Sequence, residues 1–287
     1  MSFPGIPFPI FLCENACKRD HIEKEWRGKQ MNYKIVFFDI DGTLLDTAHT
    51  IPETTIRAVS RLKENGVKVA IATGRSPYHL KPIAAQLGID TFVGFNGSYA
   101  VSGGELIHHT PVAIETLATL EGMADSNNHP MVFLGAETCF ANVSNHPDVM
   151  ESFDSLKLPH PDHRPGYWKE TPIYQAFLYC NEQNEHPYIG RFNEVSYIRW
   201  HPQVLDVLPP NGSKARGIEA ILQHYGISSA EAVAFGDGLN DKEMLSFVGM
   251  GVAMGNAHDE LKPHANMITR HVDEGGIHHG LSQLGLI

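Results

Sequence analysis

The sequence predicts an α/β fold: a doubly wound, Rossmann-like parallel sheet core with an inserted α+β domain. Two observations predict it. Short, unbroken apolar runs alternate with helix-period amphipathic stretches soon after residue 30, and the same alternation resumes after residue 209. Between them, residues 97–208 lose the alternation and become richer in histidine, proline and aromatic residues.

The elements follow in order. Ile35-Val36-Phe37-Phe38 is a continuous apolar run, as expected of a strand buried on both faces, and it ends in Asp39-Ile40-Asp41-Gly42-Thr43. Residues 52–65 predict a helix, with Ile56, Val59 and Leu62 on one face and Gly66 as its stop. Residues 67–72 predict a second strand, which ends in Thr73-Gly74-Arg75. Ser76-Pro77 reads as an N-cap followed by proline at the first helical position, with Pro82 expected to break or restart that helix. Residues 92–95 form a third predicted strand. In the inserted segment, residues 99–109 predict a hairpin around Gly103-Gly104 and residues 113–124 a helix; 173–179, 195–200 and 204–208 predict strands. Ser213 then reads as the N-cap of a helix through His224, with Ile218, Ile221, Leu222 and Tyr225 on one face. Residues 232–235 predict a strand ending in Gly236-Asp237-Gly238, and Asn240-Asp241 opens a helix carrying Met244, Leu245 and Val248. Two short strands are expected at 251–253 and 267–268. The domain reading is therefore a core at 31–96 and 209–287, interrupted by an inserted domain at 97–208.

Residues 1–30 do not share this patterning. The first ten hold three prolines and no lysine or arginine, so no secretory leader is expected, and the segment reads as an extension outside the fold. Cys13, Cys17 and His21 recur at helical spacing, but no fourth ligand stands nearby. Four cysteines in 287 residues are too sparse for a disulfide scaffold and suit a reducing, cytoplasmic setting. No apolar run approaches the roughly 18 residues of a membrane span. The net charge of −11 argues against a nucleic-acid partner, which needs a basic face. An anionic ligand would need a local cation, a lysine or backbone N–H groups.

In an open parallel sheet, ligands bind beyond the carboxyl ends of the strands. Polar, glycine-containing turns at such ends deliver Asp39 and Asp41, Thr73, and Asp237, while Lys214 stands where the core pattern resumes. Each has an ordinary reading as a turn former, an N-cap or a solvated lysine. Their joint placement points to one crevice that gathers carboxylates, a hydroxyl and an ammonium.

In these residues the chain resembles the haloacid dehalogenase superfamily of phosphotransferases. Asp39-Ile40-Asp41-Gly42-Thr43-Leu44-Leu45 is similar to its first motif and Thr73-Gly74-Arg75 to its second. Lys214 is similar to its third, and Gly236-Asp237-Gly238-Leu239-Asn240-Asp241 to its fourth. Gly251-Val252-Ala253-Met254-Gly255-Asn256-Ala257 and Asp273-Glu274-Gly275-Gly276 resemble the Cof-type branch.

The resemblance implies a magnesium-dependent phosphatase of small phosphorylated metabolites. Asp39 would be the nucleophile, and Asp41 the acid that protonates the leaving alcohol and later the base that activates water. Mg2+ would be held by the Asp39 and Asp237 carboxylates and the Asp41 backbone carbonyl, with Asp241 behind them holding a metal-bound water. The N–H groups of Ile40 and Gly74, the Thr73 hydroxyl, Lys214 and Asn240 would bind phosphoryl oxygens. Only a short loop separates Asp46 from the helix near Pro52, so the large insertion lies between Arg75 and Lys214, like the type-two cap of the Cof branch. Such a cap favours sugar phosphates and similar small phosphomonoesters.

Arg75 is a candidate substrate contact or a surface ion pair; His160-Pro161-Asp162-His163-Arg164 reads as an exposed loop. His108-His109 and His278-His279 suggest metal, but magnesium avoids imidazole. The alternatives are a sugar phosphomutase of the same superfamily, or a non-catalytic phosphometabolite-binding protein. Asp39, Asp41, Lys214 and Asp237 argue against the second, since a binding module needs neither nucleophile nor acid. The oligomeric expectation is monomer or homodimer.

Overall fold

The computed structural model describes residues 32–210 and 212–287, so the extension and the Cys13, Cys17 and His21 spacing lie outside the described residues. Residues 33–287 form one compact unit. Its first sheet contains, in chain order, β1 (Ile35–Phe38), β2 (Lys68–Ala72), β3 (Thr91–Gly94), β4 (Tyr99–Ser102) and β5 (Glu105–His109). After the insertion come β12 (Ala232–Gly236), β13 (Met250–Ala253) and β14 (Met267–Ile268). The order across this eight-stranded sheet is β14-β13-β12-β1-β2-β3-β4-β5. Strands β14 to β3 run parallel, and β4 and β5 turn back antiparallel at the edge.

Ile35 and Phe37 point to the face covered by Ile218, Ile221 and Leu222 of α5 (Lys214–Tyr225) and by Met244 and Leu245 of α6 (Lys242–Phe247). Phe38 stacks on Phe235 at 5.2 Å on the opposite side. There α7 (Gly276–Gln283) comes so close that a side chain on Gly280 would meet the Phe235 ring at 2.7 Å. Helix α1 (Glu53–Glu64) packs beside α7. The sheet is thus wound on both faces, which explains why its central strands β1 and β12 are apolar throughout rather than alternating.

Two expectations are corrected here. The sequence pattern puts the hairpin at 99–109 in the inserted domain beginning at residue 97, but it extends the first sheet. Its β4 pairs with β3, from Thr91 opposite Ser102 to Gly94 opposite Tyr99. Ala100 and Val101 are buried, and α5 packs against the hairpin, so the apolar content of the hairpin completes the core. Its turn is as expected: Gly103 and Gly104 both have positive φ, 57° and 85°, as a type I′ turn requires. The second correction is Pro82. Helix α2 runs unbroken from Pro77 to Leu87 through it, forgoing one hydrogen bond while Leu80, Ile83, Ala84 and Leu87 stay buried.

The second sheet has the order β10-β11-β9-β6-β7-β8. Its strands are β6 (Met131–Leu134), β7 (Cys139–Ala141), β8 (Asp162–His163), β9 (Gln175–Tyr179), β10 (Ser196–His201) and β11 (Val204–Leu208). Helix α3 (Ile114–Ser126) seals one face, with Leu117, Leu120 and Ala124 against Met131, Phe133, Ala176 and Leu178. The other face holds Val132, Leu134 and Phe177 with Val149 and Phe153 of α4 (Pro147–Ser155), and it reaches Phe95 of the first sheet's edge. Tyr174 joins the two sheets, stacked on Phe95 at 5.6 Å and edge-on to Tyr99 at 4.9 Å. A surface ion pair, Lys81 to Glu137 at 3.0 Å, lies across the same junction.

On that face Asp206 stands opposite Phe177 and Ile198, accepting 2.8 Å from the Trp200 indole N–H. Burial pushes its carboxyl up from 3.8 to about 7, against hydrogen bonds from Gln175 and Trp200 that favour the charged form. A raised carboxyl stabilises the fold fully below its unfolded pKa, and the contribution is lost as pH rises through the folded value. Between pH 5 and 8 this one group should cost about 2–3 kcal/mol, at ~1.4 kcal/mol per pKa unit. Denaturation curves at the two pH values should show Asp206→Asn losing markedly less stability across the window than the wild type. An equal loss in both proteins would rule the assignment out.

Candidate active site

The register of the first sheet levels three strand ends: Phe38 lies opposite both Phe235 and Ile71. Asp39, Thr73 and Asp237 therefore emerge on one edge, where the chain order reverses, the place at which open parallel sheets bind ligands. The ladder runs one step further, with Asp39 N–H donating to the Phe235 carbonyl at 3.0 Å. The chain then folds back on itself, the N–H groups of Thr43 and Leu45 both donating to the Ile40 carbonyl at 3.3 and 2.8 Å. This turn needs Gly42 twice over. Its φ is +76°, and a Cβ there would lie 2.1 Å from Asp237 Oδ2. Thr43 closes the contact, its hydroxyl donating to Asp237 Oδ1 at 2.7 Å. Asn256 clamps the turn from the far side, donating to the Gly42 carbonyl at 2.8 Å while accepting the Val272 N–H at 2.9 Å.

Lys214, the first residue of α5, is fully buried and donates 2.6 Å to Asp39 Oδ1 and 2.6 Å to Asp241 Oδ1. Asp241 Oδ2 accepts the backbone N–H groups of Asp237 and Gly238, each at 2.9 Å. Each Asp241 oxygen thus has a partner within the protein, Oδ1 holding Lys214 and Oδ2 the Asp237 loop.

Charge within the cluster is unbalanced. Burial and the neighbouring aspartates push the Asp39 carboxyl well above its usual range, with Lys214 opposing them. Burial raises Asp237 to about 6, the Thr43 hydrogen bond opposes, and Asp241 adds to the rise. For Lys214 burial lowers the pKa, but the Asp241 and Asp39 carboxylates outweigh it and keep the ammonium charged.

The residues fit a hard divalent cation. Ligand oxygens of Asp39, Asp237 and Asp241 lie within 4.8 Å of one another, the only such group of acidic, histidine or cysteine side chains among the described residues. All are oxygen donors, as Mg2+ prefers, and the cluster carries excess negative charge for a cation to offset. The histidine pairs form no such group: His108 bonds to Thr110, His109 packs by Tyr174, and His279 bonds to Thr269. The 160–164 segment is exposed and largely irregular, as expected, and contributes only the two-residue strand β8 at Asp162 and His163.

Asp41 lies at the rim, its side chain about half exposed, gripped by Arg75 through two hydrogen bonds of 2.9 and 2.6 Å. In this structure Arg75 is therefore an ion-pair partner of Asp41. Thr73 is buried, and its hydroxyl oxygen accepts the Arg75 N–H at 3.1 Å, leaving the O–H free to donate elsewhere. Gly74 packs on the carboxamide of Asn96, 3.1 Å from where a Cβ would sit. Asn240, exposed, donates to Asn96 Oδ1 at 3.0 Å. Sequence reasoning missed the parts played by Thr43, Asn96 and Asn256. The signal for Asn96 was an asparagine followed by glycine just beyond a strand end, which reads as an ordinary turn.

Residues 36–281 match the family described as haloacid dehalogenase-like hydrolase. A Bacillus subtilis protein named "Putative phosphatase YkrA" is 41% identical over 257 residues, covering 90% of this chain and 100% of its own. Among solved structures, a hypothetical protein of Geobacillus kaustophilus HTA426 is 50% identical, with a TM-score of 0.87 over 89% of this chain and 100% of that one. The HAD subclass IIB sugar phosphatase BT4131 is 29% identical, with a TM-score of 0.78 over 88% and 100%.

Gly42→Ala should cost about 2–4 kcal/mol, from the left-handed backbone and the overpacking of Asp237 together. Gly66→Ala, at φ +78° with nothing within 4 Å, should cost only the backbone share of about 1–2 kcal/mol. Urea denaturation separates the two. Any phosphatase turnover should suffer only in the Gly42 variant, and equal effects at both sites would remove the packing argument.

Proposed function

The chain belongs to the haloacid dehalogenase-like hydrolases and is a phosphoric monoester hydrolase, and from that premise we propose that it is a Mg2+-dependent phosphatase of small phosphomonoesters, sugar phosphates or similar metabolites, acting through an aspartyl-phosphate on Asp39. The observation that carries this reading is the buried Lys214–Asp39 contact of 2.6 Å beside Asp237, with Asp41 two residues along at the open rim. One carboxylate is held fixed by a lysine, and a second stands exposed nearby, which supports a fixed nucleophile and a mobile acid.

Asp39 attacks the phosphorus in line, and the bond from phosphorus to the ester oxygen breaks. Asp41 delivers its proton to that departing oxygen, giving the alcohol and an acyl-phosphate on Asp39. Asp41 then takes a proton from a water that attacks the phosphorus, releasing inorganic phosphate and restoring the Asp39 carboxylate. The phosphoryl oxygens are received by the N–H groups of Ile40 and Gly74, the Thr73 hydroxyl, Lys214 and the Asn240 amide. The Asp39 and Asp237 carboxylates and the Asp41 carbonyl would hold Mg2+, whose charge offsets that of the phosphoryl group and the aspartates. Arg75 is placed to exchange Asp41 for a polar or anionic group of the substrate.

The inserted sheet supports small substrates. Its contacts through Tyr174 and Glu137 lay it against the edge and helix adjoining Thr73 and Arg75, where a cap would limit the size of the substrate that reaches the site. The sugar phosphatase among the structural relatives agrees in kind. A cytoplasmic monomer or homodimer fits the reading. Cys139 and Cys180 are free and buried, and among the described residues no helix is long and apolar enough to cross a membrane.

Assayed with p-nitrophenyl phosphate and Mg2+, without any bisphosphate activator, the protein should turn over. Chelation by EDTA should stop it, and added Mg2+ should restore it. Asp39→Asn should lower kcat by at least about 10⁴-fold while the melting transition persists. Turnover by that variant within tenfold of wild type would remove the nucleophile assignment, and full activity in EDTA would remove the metal.

A further inference from the structure

Between β3 and β4 the chain makes a tight turn in which two consecutive non-glycine residues are left-handed, Phe95 at φ 50° and Asn96 at φ 49°. An aromatic residue in that region is rare, and such strain persists only where the surroundings over-determine it. The surroundings here do so. Phe95 N–H donates to the Arg75 carbonyl and Asn96 N–H to the Thr73 carbonyl, both at 3.1 Å. Phe95 is fully buried and stacked on Tyr174. Gly97 follows at φ +99°, so close to the start of α5 that a Cβ there would lie 1.9 Å from the Ser213 carbonyl oxygen. The turn is wedged between the Thr73–Arg75 loop and the residue before Lys214.

From this turn the Asn96 side chain projects inward, 8% exposed. Its Oδ1 accepts from Asn240 Nδ2 at 3.0 Å, and both of its terminal atoms lie 3.1 Å from the Cβ direction of Gly74. The carbonyl end of Asn240 is turned back over Gly238, 2.6 Å from where a Cβ on that glycine would be. A carboxamide nitrogen has two hydrogens. One of them is spent on Asn96, which leaves the other for a phosphoryl oxygen. If the amide turned over, it would present its carbonyl oxygen to an anion.

We propose that Asn96 is a positioning residue for phosphoryl binding: by accepting from Asn240 it fixes the donor end of that amide toward the site. The proposal rests on the phosphatase reading above and adds a residue to its machinery. Asn96 touches no reacting atom, and it acts through Asn240.

The test compares wild type, Asn96→Gly, Asn240→Ala and the double variant. Glycine suits the left-handed backbone, so Asn96→Gly should keep or raise the melting temperature. Its affinity for inorganic phosphate, read by titration calorimetry with Mg2+ present, should fall about tenfold, the effect of one ordered hydrogen bond to a charged ligand. Its kcat/KM for p-nitrophenyl phosphate should fall in step. In the Asn240→Ala background, Asn96→Gly should change neither quantity. A folded Asn96→Gly with wild-type phosphate affinity overturns the proposal, as do losses that multiply in the double variant. Should Asn96→Gly fail to fold, Asn96→Ser carries the same expectations, and failure of both to fold would make the residue purely structural and overturn the proposal too. Absence of wild-type turnover would instead defeat the phosphatase reading, with the calorimetry still reporting on Asn96.

Discussion

A fully buried ammonium group, Lys214, held at 2.6 Å by both Asp39 and Asp241, is the contact on which the arrangement rests. Burying an ammonium alone costs several kcal/mol, so it must be paired and its protons used. Asp241 supplies one partner and is itself held by the N–H groups of Asp237 and Gly238, and Asp39 supplies the other. Lys214 thus welds the end of β1 to the end of β12. It also sits at the first turn of α5, where the chain returns from the inserted segment. Removing either carboxylate would leave the ammonium short of a partner, so a single requirement of electrostatics joins stretches separated by |i−j| of 175 and 27.

That weld sets the local charge. The chain is acidic overall, at −11, yet an anion is the ligand it is proposed to receive. One ammonium among Asp39, Asp237 and Asp241 does not neutralise the pocket, and the raised Asp39 and Asp237 carboxyls express the deficit. A cation of higher charge and backbone N–H donors are the means left to attract phosphate. The glycines serve the same end by steric means. A side chain at Gly42 or Gly236 would collide with the Asp237 or Asp241 carboxylate, at 2.1 and 2.5 Å. The loops can therefore close around the acids only where no Cβ intervenes.

Much of the core and the site was legible because period and turn chemistry agreed there. Continuous apolar runs at β1, β2 and β12, each ended by a polar glycine turn, mark strands of a covered parallel sheet, and level strand ends follow from that topology. The inserted segment was less legible. Strand β7 has three residues and β8 two, so local signals were faint there and tertiary packing decided. The hairpin β4–β5 was recognised as a hairpin, but its allegiance depends on which sheet edge is open, and no local pattern encodes that. Asn96 and Asn256 were invisible for another reason. Each makes its contribution through one carboxamide reaching a partner far along the chain, |i−j| of 144 and 214.

The two ion pairs of the site differ in a way that separates frame from moving part. Lys214 with Asp39 and Asp241 is sealed from water, so exchanging its partners would expose an uncompensated charge in a low dielectric. Arg75 with Asp41 lies at the rim, with about a quarter of the arginine side chain and half of the aspartate exposed. A pair of that kind is worth roughly 0–1 kcal/mol, even allowing for its two-pronged geometry, because water and salt compete for both groups. Asp41 can leave it cheaply to meet a departing oxygen, and Arg75 can turn to whatever the substrate offers. The proposed nucleophile, Asp39, is thus fixed by a bond too costly to break, while the proposed proton carrier, Asp41, is held by one that a bound ligand can replace. That division follows from burial alone, since both pairs join the same two kinds of charge.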